Sequence, residues 1–503
     1  MPALSSLLTN IPVTVLGDPL VEIRRLCADS RQAQFGDLFA CLPGTKVHGH
    51  QYLSQVVAAG VTAVLVEDAA LAPAGVTTIV APDSREALAY IAAAYYGHPA
   101  DALTVVGVTG TNGKTTVTML LYAILRAAGH PTGLIGTLSY RIGDQILQAS
   151  HTTPQAPELQ AILAQMCDAG MTHAVMEVSS HALCQHRVTG VHFQATAFTN
   201  LTQDHLDYHQ TMESYREAKV QLFSAPRYQP TTSPMISVFN ADDPATPYFV
   251  AQARGKVRCF GLTGGDYQAR DVVLRPEGST FRYCMPTGEA IVSSQLVGSF
   301  NVSNALAALA LAAELGVPLE TAVSAVGAQP PVDGRFQRVA ESGGGKPTVV
   351  VDYAHTPDGL EKVLSTAAEI APGHVVALFG CGGDRDRGKR PQMAAIAARW
   401  ARDIIITSDN PRNEDPEQII HEILAGLPAP ALAHTQVLPD RREAIQAAIE
   451  MAAADDLVVL AGKGHETYQE FADKRRVHFD DREEAMLALS CRLKAEKHDD
   501  SQS

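Results

Sequence analysis

Residues 105–116 carry the strongest chemical signal of the chain, a glycine-rich turn followed by a lysine and two threonines. The apolar residues 103–108 predict a buried parallel strand, and the periodic pattern from Lys114 to Gly129 predicts a helix. Backbone N–H groups at a helix start favour an anion, lysine adds a positive charge, and a threonine hydroxyl can reach Mg²⁺. The strict phosphate-loop pattern is not met, because Val108 stands where its first glycine belongs.

We predict that this loop binds nucleotide phosphate, and the alternative is a turn that only caps a helix. The alternative does not require a lysine and two threonines in succession. The candidate residues are Gly110, Thr111, Asn112, Gly113, Lys114, Thr115 and Thr116.

Two more loops in the centre of the chain carry acids and histidines after predicted strands. Glu177 lies in a predicted strand at 174–178, and residues 200–209 follow the next strand. Mg²⁺ prefers oxygen ligands together with phosphate and water, so Glu177 with Thr115 predicts a magnesium site. On pattern alone His205 is a cap or a structural hydrogen-bond partner. A zinc or iron site formed by His205, Asp207 and His209 is an alternative.

Three loops in the last third of the chain, at 380–390, 408–412 and 462–466, also follow predicted strands. Taken singly, each is typical of a solvated charged turn. Taken together, they place arginine, asparagine, aspartate and glutamate at neighbouring strand ends. This composition suits a zwitterionic ligand, because arginines bind carboxylates and acids bind ammonium groups.

The elements that must position these loops alternate strand, loop and helix, which predicts an α/β protein. We expect three domains: an N-terminal domain at 1–98, a central domain at 99–333 and a C-terminal domain at 334–503. The central domain is predicted to contain a doubly wound sheet of the P-loop type, with an antiparallel ribbon at 267–297. The C-terminal domain is predicted to be Rossmann-like. Ligands in such sheets bind at the carboxyl ends of the strands.

Composition narrows the classes of function. The 503 residues include 39 Lys and Arg against 54 Asp and Glu, a formal charge of −15 that argues against a nucleic-acid partner. No apolar run approaches the ~18 residues that a membrane span needs. The N-terminus lacks a basic and then apolar signal segment, so we expect a cytoplasmic protein. Eight cysteines without a C-x-x-C pair are typical of reduced thiols.

The motifs together resemble the Mur ligase family, the ATP-dependent amino-acid ligases of peptidoglycan precursor synthesis. The resemblance covers essentially the whole chain and rests on residues 109–116, 177–181, 200–205, 301–307, 334–336 and 352–355. Residues 409–412, Asp-Asn-Pro-Arg, resemble the signature of the members that add meso-diaminopimelate. Gln210 stands where the resemblance leads us to expect a glycine.

The resemblance implies addition of meso-diaminopimelate to UDP-N-acetylmuramoyl-L-alanyl-D-glutamate through an acyl phosphate, by a monomer that uses ATP and Mg²⁺. Lys219 matches a lysine that carries a carbamate made with CO₂ and helps to hold Mg²⁺. On pattern alone Lys219 would be a solvated residue of an amphipathic helix. The base for the attacking amine is left open between His205 and a bound carboxylate. The implied catalytic residues are Lys114, Glu177, His205 and Lys219, and the implied metal ligands are Thr115, Glu177, His205 and Lys219.

The resemblance also implies three sets of binding residues. Beyond the glycine-rich loop, those for ATP are Asn301, Asn304, Arg335 and Asp352. Those for the UDP-linked substrate are Ser30, Thr152, Thr153, Ser179, Gln185 and Arg187. Those for diaminopimelate are Arg385, Asp409, Asn410, Pro411, Arg412, Gly462 and Glu466.

Two rival functions remain. One is another ligase of the superfamily, such as folylpolyglutamate synthase or the lysine-adding Mur enzyme, against which residues 409–412 and the N-terminal domain argue. The other is a nucleotide-gated binding protein without ligase activity. Such a protein should lack the arrangement of Glu177, His205 and Lys219.

Overall fold

The structure is a computed structural model that describes residues 1–44, 48–224, 235–339 and 347–500, with only the backbone of 493–500. The described residues form three separate sheets and a short hairpin, with helices packed against the sheets. The predicted α/β class is therefore confirmed. Within the described parts of the chain, no helix is both long enough and apolar enough to cross a membrane.

The first sheet has five strands in the order β1-β5-β4-β3-β2, and all neighbours are parallel except β1 and β5. The helix α3 that follows it begins at Ser84, where the Asp83 carboxylate accepts hydrogen bonds from the N–H groups of Arg85 and Glu86. The strands are β1 Thr14–Leu16, β2 Arg25–Cys27, β3 Asp37–Ala40, β4 Ala63–Val66 and β5 Thr77–Val80, and the helices are α1 Leu4–Leu7, α2 Leu53–Ala58 and α3 Ser84–Tyr95.

The central sheet has eleven strands in the order β16-β15-β14-β13-β12-β11-β6-β10-β7-β8-β9. The strands are β6 Thr104–Thr109, β7 Thr132–Ile135, β8 Tyr140–Ile142, β9 Gln145–Leu147, β10 His173–Glu177, β11 Phe193–Phe198, β12 Ile236–Asn240, β13 Lys256–Gly261, β14 Tyr267–Arg275, β15 Gly278–Met285 and β16 Gly288–Ser294. The helices are α4 Lys114–Ala127, α5 Ala156–Asp168, α6 Ser180–Cys184, α7 Leu206–His209, α8 Met212–Val220, α9 Thr246–Gln252, α10 Ser299–Glu314 and α11 Leu319–Ala328.

The position of β6 in this sheet brings the candidate loops together. It lies between β10 and β11 and is parallel to both, so the carboxyl ends of the three strands meet at one edge. Continuous apolar burial explains why β6 is central, since its residues from Val105 to Thr109 are buried. The predicted antiparallel ribbon is confirmed as β14, β15 and β16.

The last sheet has six strands in the order β17-β18-β22-β19-β20-β21, and only β17 is antiparallel to its neighbour. Its strands are β17 Gln337–Arg338, β18 Thr348–Asp352, β19 Val375–Phe379, β20 Asp403–Ile406, β21 Thr435–Val437 and β22 Leu457–Ala461, and the hairpin is β23 Tyr468–Glu470 with β24 Arg476–His478. The helices are α12 Pro357–Ile370, α13 Lys389–Trp400, α14 Pro416–Leu424, α15 Ala429–Leu432, α16 Arg441–Met451 and α17 Asp481–Asp500.

A fully buried ion pair fixes the carboxyl end of β22. Arg441 and Asp481, the first residues of α16 and α17, lie 2.7 Å apart and have no exposed side-chain surface. The Arg441 guanidinium also donates to the carbonyl oxygen of Ala461, the last residue of β22. Since Gly462 follows directly, this pair sets the position from which the 462–466 loop starts. All eight cysteines lie in the described residues and none forms a disulfide, in agreement with the expectation of free thiols.

Gln210 adopts a backbone conformation that favours glycine. It is exposed, its φ is +67°, and it connects α7 to α8. A side chain at positive φ costs about 1–2 kcal/mol because Cβ crowds the backbone. The absence of glycine at this position, noted from the sequence, therefore leaves local strain.

Gln210→Gly should stabilise the chain by about 0.5–1 kcal/mol, because the relief of strain exceeds the entropy that glycine loses on folding. Gln221→Gly is the matched control, since Gln221 is also exposed but has a helical φ of −56° at the end of α8. The control should be destabilised by a similar amount. The midpoints of thermal unfolding of the two variants are compared with that of the wild type. A shift of the same sign in both variants would contradict the proposed strain at Gln210.

Candidate active site

The predicted phosphate loop lies between the end of β6 and the start of α4. Gly113 precedes the helix with a φ of +88°, and a Cβ built on it would lie 2.3 Å from Asn304 Oδ1. Glycine is therefore required both for the backbone conformation and for the approach of α10. The loop is held by its neighbours: Asn112 N donates to Asn200 Oδ1, and Thr199 Oγ1 donates to Asn112 O. These contacts hold the loop as a turn at a helix N-terminus, the geometry that binds phosphate.

Two lysine side chains converge on this loop. Lys114 Nζ and Lys219 Nζ each lie 2.9 Å from the carbonyl oxygen of Gly110. Burial lowers the pKa of Lys114, although the Glu177 carboxylate opposes this effect. Burial and the neighbouring Lys114 ammonium together hold the pKa of Lys219 well below its ordinary value. The pair favours the loss of a proton from one amine, because two like charges share one acceptor.

The interpretation of Lys219 as a solvated helix residue is wrong. Its side chain is 1% exposed, and its ammonium lies 4.4 Å from the centre of the Tyr215 ring. Tyr215, Ala218 and Lys219 form the buried face of α8. The spacing of four residues between Tyr215 and Lys219 was the signal in the sequence that could have indicated burial.

Glu177, at the end of β10, is a buried carboxylate with neutral partners. It is 1% exposed and accepts hydrogen bonds from Thr115 Oγ1, Thr137 N and Thr137 Oγ1 at 3.1, 2.8 and 3.2 Å. Within the described part of the chain no Lys, Arg or His lies within 4.0 Å of it as an ion-pair partner. A buried charge of this kind needs compensation, which a cation beside Thr115 would supply. The donor set therefore fits Mg²⁺.

His205 lies in the loop after β11 beside Asp204. Its Nε2 is 3.3 Å from Asp204 Oδ2, and burial lowers the pKa of His205 to about 3. Burial alone would raise the pKa of Asp204, but the nearby Lys389 ammonium and the hydrogen bond from the backbone N–H of His205 help to hold it at about 2. His205 is thus neutral near pH 7 and retains a lone pair, which suits a ligand better than a base. The described residues contain no group of three His, Cys, Asp or Glu arranged for a metal, so nothing in them supports the zinc or iron alternative.

The residues predicted for ATP surround the same loop. Arg335 Nη2 donates to Thr115 Oγ1 at 3.3 Å, and Asn304 donates to Asn301 on α10. The Asp352 carboxylate accepts hydrogen bonds from the N–H groups of Phe336 and Ala354. Burial raises the pKa of Asp352 to about 6. Asp352 therefore holds the turn that carries Arg335.

Most residues predicted for the UDP-linked substrate form one connected group. Thr153 Oγ1 donates to Glu177 O, and Thr152 Oγ1 lies 3.0 Å from Thr137 Oγ1. Arg187 donates to Thr153 O and to the Gln185 side chain, while Ser179 caps α6. Ser30 lies apart from this group, in a short 3₁₀ turn of the N-terminal sheet.

The residues predicted for diaminopimelate lie in the loops that follow β19, β20 and β22. Asn410 Nδ2 donates to Glu466 Oε2 at 2.8 Å, and Gly462 adopts a φ of +115° next to Asp409. The side chain of Lys463 lies among them. The sequence analysis included the 462–466 loop but gave Lys463 no role.

The two candidate arginines border one glycine. A Cβ built on Gly382 would lie 2.8 Å from Arg412 Nη1 and 3.8 Å from Arg385 Cγ. Arg385 is exposed and donates to Asp384 O. Arg412, which follows Pro411, donates to Gly383 O at 2.7 Å and lies 3.4 Å from Glu470 Oε1. Arg412 therefore already braces its loop.

Sequence reasoning missed a contact that joins the phosphate loop to α12, a helix that packs on the last sheet. Asn112 Nδ2 donates to Asp358 Oδ2 at 2.7 Å, and Asp358 also pairs with Lys362 in α12. Close by, Lys389 Nζ donates to His355 O. Gln203 Nε2, in the loop after β11, also donates to Asp386 Oδ2 at 3.2 Å, so the loops beside the candidate ATP loop contact the 380–390 loop.

Comparison with known families agrees with this geometry. The Mur ligase family catalytic domain matches residues 22–96, the Mur ligase middle domain matches residues 108–312, and the Mur ligase glutamate ligase domain matches residues 334–464. The chain belongs to the Mur ligase family. The prediction of this family, and with it of a ligase, is confirmed.

Individual relatives extend the similarity over the whole chain. The UDP-N-acetylmuramoyl-L-alanyl-D-glutamate–2,6-diaminopimelate ligase of Gloeobacter violaceus is 47% identical over 98% of this chain and 99% of its own length. The enzyme of the same name from Geobacillus kaustophilus is 45% identical over 97% and 99%. A solved structure with that name is 34% identical, covers 97% of this chain and 99% of its own, and has a TM-score of 0.68. MurF from Acinetobacter baumannii, 21% identical with a TM-score of 0.64 over 98% of both chains, shares the fold.

Proposed function

We propose that this chain adds meso-2,6-diaminopimelate to UDP-N-acetylmuramoyl-L-alanyl-D-glutamate with ATP, forming ADP and phosphate. The names of the full-length relatives support this reaction. The observation that carries it here is that the candidate loops of the central and C-terminal units are in contact, through Asn112 with Asp358 of α12 and through Gln203 with Asp386. A separate nucleotide-gated binding protein would not need a phosphate loop joined to a charged amino-acid pocket.

The first step joins the D-glutamyl γ-carboxylate to the γ-phosphorus of ATP. The carboxylate oxygen forms the new P–O bond, the bond to the β-phosphate oxygen breaks, and ADP leaves. The Gly110–Thr116 segment directs backbone N–H groups and the Lys114 charge at the phosphates, which stabilises the charge of the transferring group. When bound, Mg²⁺ would neutralise phosphate charge, with Thr115, Glu177, His205 and Lys219 as its proposed holders.

The second step forms the amide bond. The amine of diaminopimelate attacks the acyl carbon, phosphate leaves, and the amine loses a proton. Because burial lowers the pKa of His205 to about 3, this histidine would be a weak base for that proton. The contacts between the phosphate loop and the last sheet would also keep water from the acyl phosphate.

Lys219 is proposed to react with CO₂ and to act as a carbamate. A carbamate forms from a neutral amine, and burial with a neighbouring Lys114 favours the neutral form. The product would be a negative oxygen ligand close to the phosphate loop. It would replace the repulsion between two ammonium groups with an attraction.

We also make proposals for the domain boundaries, the oligomeric state and the location of the protein. We propose the three domains 1–98, 99–333 and 334–503, a monomer, and a cytoplasmic location where ATP and the UDP-linked substrate are made. The residues proposed to bind ligands in the N-terminal and central domains are those predicted from the sequence. Asn301 and Asn304 would bind the nucleotide, and Ser30 and Arg187 would bind the UDP-linked substrate.

Phosphate release in the presence of ATP and the UDP-muramoyl dipeptide tests the reaction. Release should require all three substrates, and kcat/KM for meso-diaminopimelate should exceed that for L-lysine by about 10³-fold or more, because lysine leaves buried polar groups unpaired. Equal values for the two amino acids, or release without either of them, would contradict the proposal.

Lys219→Ala should be nearly inactive, because it removes the proposed carbamate, and short carboxylic acids should partly restore turnover by occupying the vacated position. Glu217→Ala is the matched control, since Glu217 lies on the same helix with a half-exposed side chain. It should retain turnover. Labelling with ¹³C-bicarbonate should give a carbamate signal in the wild type that Lys219→Ala lacks. Normal turnover of Lys219→Ala would contradict the proposed carbamate.

Arg412→Ala should raise the KM for diaminopimelate about 10- to 100-fold, because a charge-assisted contact contributes roughly 1.5–3 kcal/mol. The KM values for ATP and the UDP-linked substrate should change little. Arg476→Ala is the control, since Arg476 pairs with the same Glu470 but is exposed. If Arg412 only braces its loop, the variant loses thermal stability and keeps the kcat/KM ratio of diaminopimelate to lysine.

A further inference from the structure

Lys463 is a fully buried cation with no role in the reaction derived above. It follows Gly462 at the carboxyl end of β22, and its side chain has no exposed surface. Its Nζ lies 3.1 Å from Asn410 Oδ1, 3.2 Å from Glu466 Oε2 and 3.6 Å from Asp409 Oδ1. All three partners are residues that the proposed function assigns to the amino acid. A buried ammonium is tolerated only where such partners surround it.

The first consequence concerns the orientation of Asn410. Its Oδ1 accepts hydrogen bonds from Lys463 Nζ and from the N–H of Glu470 at 2.9 Å. Both of these groups can only donate, so the carbonyl end of the amide must face them. The NH₂ end then donates to Glu466 at 2.8 Å with one hydrogen. Its second hydrogen has no acceptor within the described residues, which makes Asn410 a donor for a ligand oxygen.

The second consequence concerns Glu466. Burial and the neighbouring Asp409 raise the pKa of Glu466, while Lys463 and Asn410 oppose that rise. Lys463 and Asn410 both bond Oε2. Among the residues that the structure describes, none donates a hydrogen bond to Oε1. Glu466 thus offers one oxygen to an incoming ammonium group.

The charges of the cluster fit an ammonium ligand. Asp409 and Glu466 together carry two negative charges when ionised, and Lys463 supplies one positive charge. The nearby Arg412 and Arg441 are paired with Glu470 and Asp481. The remaining negative charge suits the ammonium of an amino-acid terminus, and the free N–H of Asn410 suits its carboxylate. Without Lys463, two carboxylates would face each other in a buried site, and one of them would take up a proton.

We propose that Lys463 is a positioning and specificity-determining residue, which holds Asn410 as a donor and Glu466 as an acceptor for the distal carboxylate and ammonium of the amino acid. This inference rests on the proposed function. Lysine has the distal ammonium but not the distal carboxylate, so loss of the Asn410 orientation should affect diaminopimelate more than lysine.

Kinetics of Lys463→Met and Lys463→Gln test the inference in the full-length chain. For Lys463→Met the KM of meso-diaminopimelate should rise at least about 10-fold, and its kcat/KM ratio to L-lysine should fall about 10-fold or more, since one oriented polar contact of this kind contributes that much discrimination. The KM values for ATP and the UDP-linked substrate should stay within about 3-fold. Lys256→Met, which removes an ion pair with Glu314 on the central sheet, should keep all four values.

Lys463→Gln separates the loss of the hydrogen bond to Asn410 from the loss of the positive charge, because the glutamine amide can still donate to Asn410 but carries no charge. It should retain more selectivity than Lys463→Met. In both variants the KM of diaminopimelate should fall as pH rises, because the pKa of Glu466 is raised further and its carboxylate is needed to bind ammonium. A purely structural lysine would lower the amount of active enzyme without moving this pH profile or the selectivity ratio.

The outcomes separate this inference from the reaction on which it rests. If the wild type fails to ligate diaminopimelate, the proposed function falls and this inference falls with it. If the wild type prefers diaminopimelate but folded Lys463→Met or Lys463→Gln keeps the ratio and the pH profile, only the role of Lys463 is overturned. If Lys463→Met does not fold, Lys463→Gln decides by the same two readouts.

Discussion

The Gly110 carbonyl oxygen accepts hydrogen bonds from two lysine side chains, Lys114 and Lys219, and the site is organised around this contact. One lysine comes from the helix that the loop starts and the other from α8, which follows the next strand of the sheet. Two ammonium groups at one acceptor repel each other in a buried setting. The contact is therefore favourable only if one amine is neutral, is converted to an anion, or faces phosphate.

The cost of placing a charge in a buried setting also applies to Glu177 and Lys463. Glu177 is surrounded by neutral donors, and Lys463 is surrounded by two carboxylates and an amide. Each of these groups is more costly to bury than an apolar side chain. Each also lies at the carboxyl end of a parallel strand, where an α/β sheet binds its ligands. Stability alone does not explain these charges, and we expect metal, phosphate and amino acid to compensate them when they bind.

Much of this site could be predicted from the sequence, because buried parallel strands are continuous apolar runs and the loops that follow them are easily located. The predicted strand at 103–108 is β6, Thr104–Thr109, and the lysine-threonine helix begins at Lys114 as expected. Glu177 and Thr115 were paired on chemical grounds, and their side chains are hydrogen-bonded. Because β6 and its neighbouring strands are parallel, their carboxyl ends meet at one edge of the sheet.

The remaining features depend on tertiary contacts that no local pattern contains. Lys463 is buried beside a hairpin whose Glu470 also bonds Asn410, and the sequence does not reveal that the hairpin folds back. Arg412 was predicted to be a ligand group, yet Glu470 and Gly383 already engage it. Asp358 reaches Asn112 across 246 positions of sequence. Contacts between residues so distant in the sequence can be identified only from the three-dimensional arrangement of the sheets.

The transfer of oxygen between substrate and phosphate tests the central claim most directly. The UDP-muramoyl dipeptide, labelled with ¹⁸O in both oxygens of the D-glutamyl γ-carboxylate, would be converted with ATP and meso-diaminopimelate, and the phosphate analysed by mass spectrometry. An acyl phosphate formed at the Gly110–Thr116 loop predicts one ¹⁸O in each phosphate released and one in the new amide. Amide product accompanied by unlabelled phosphate would contradict the account.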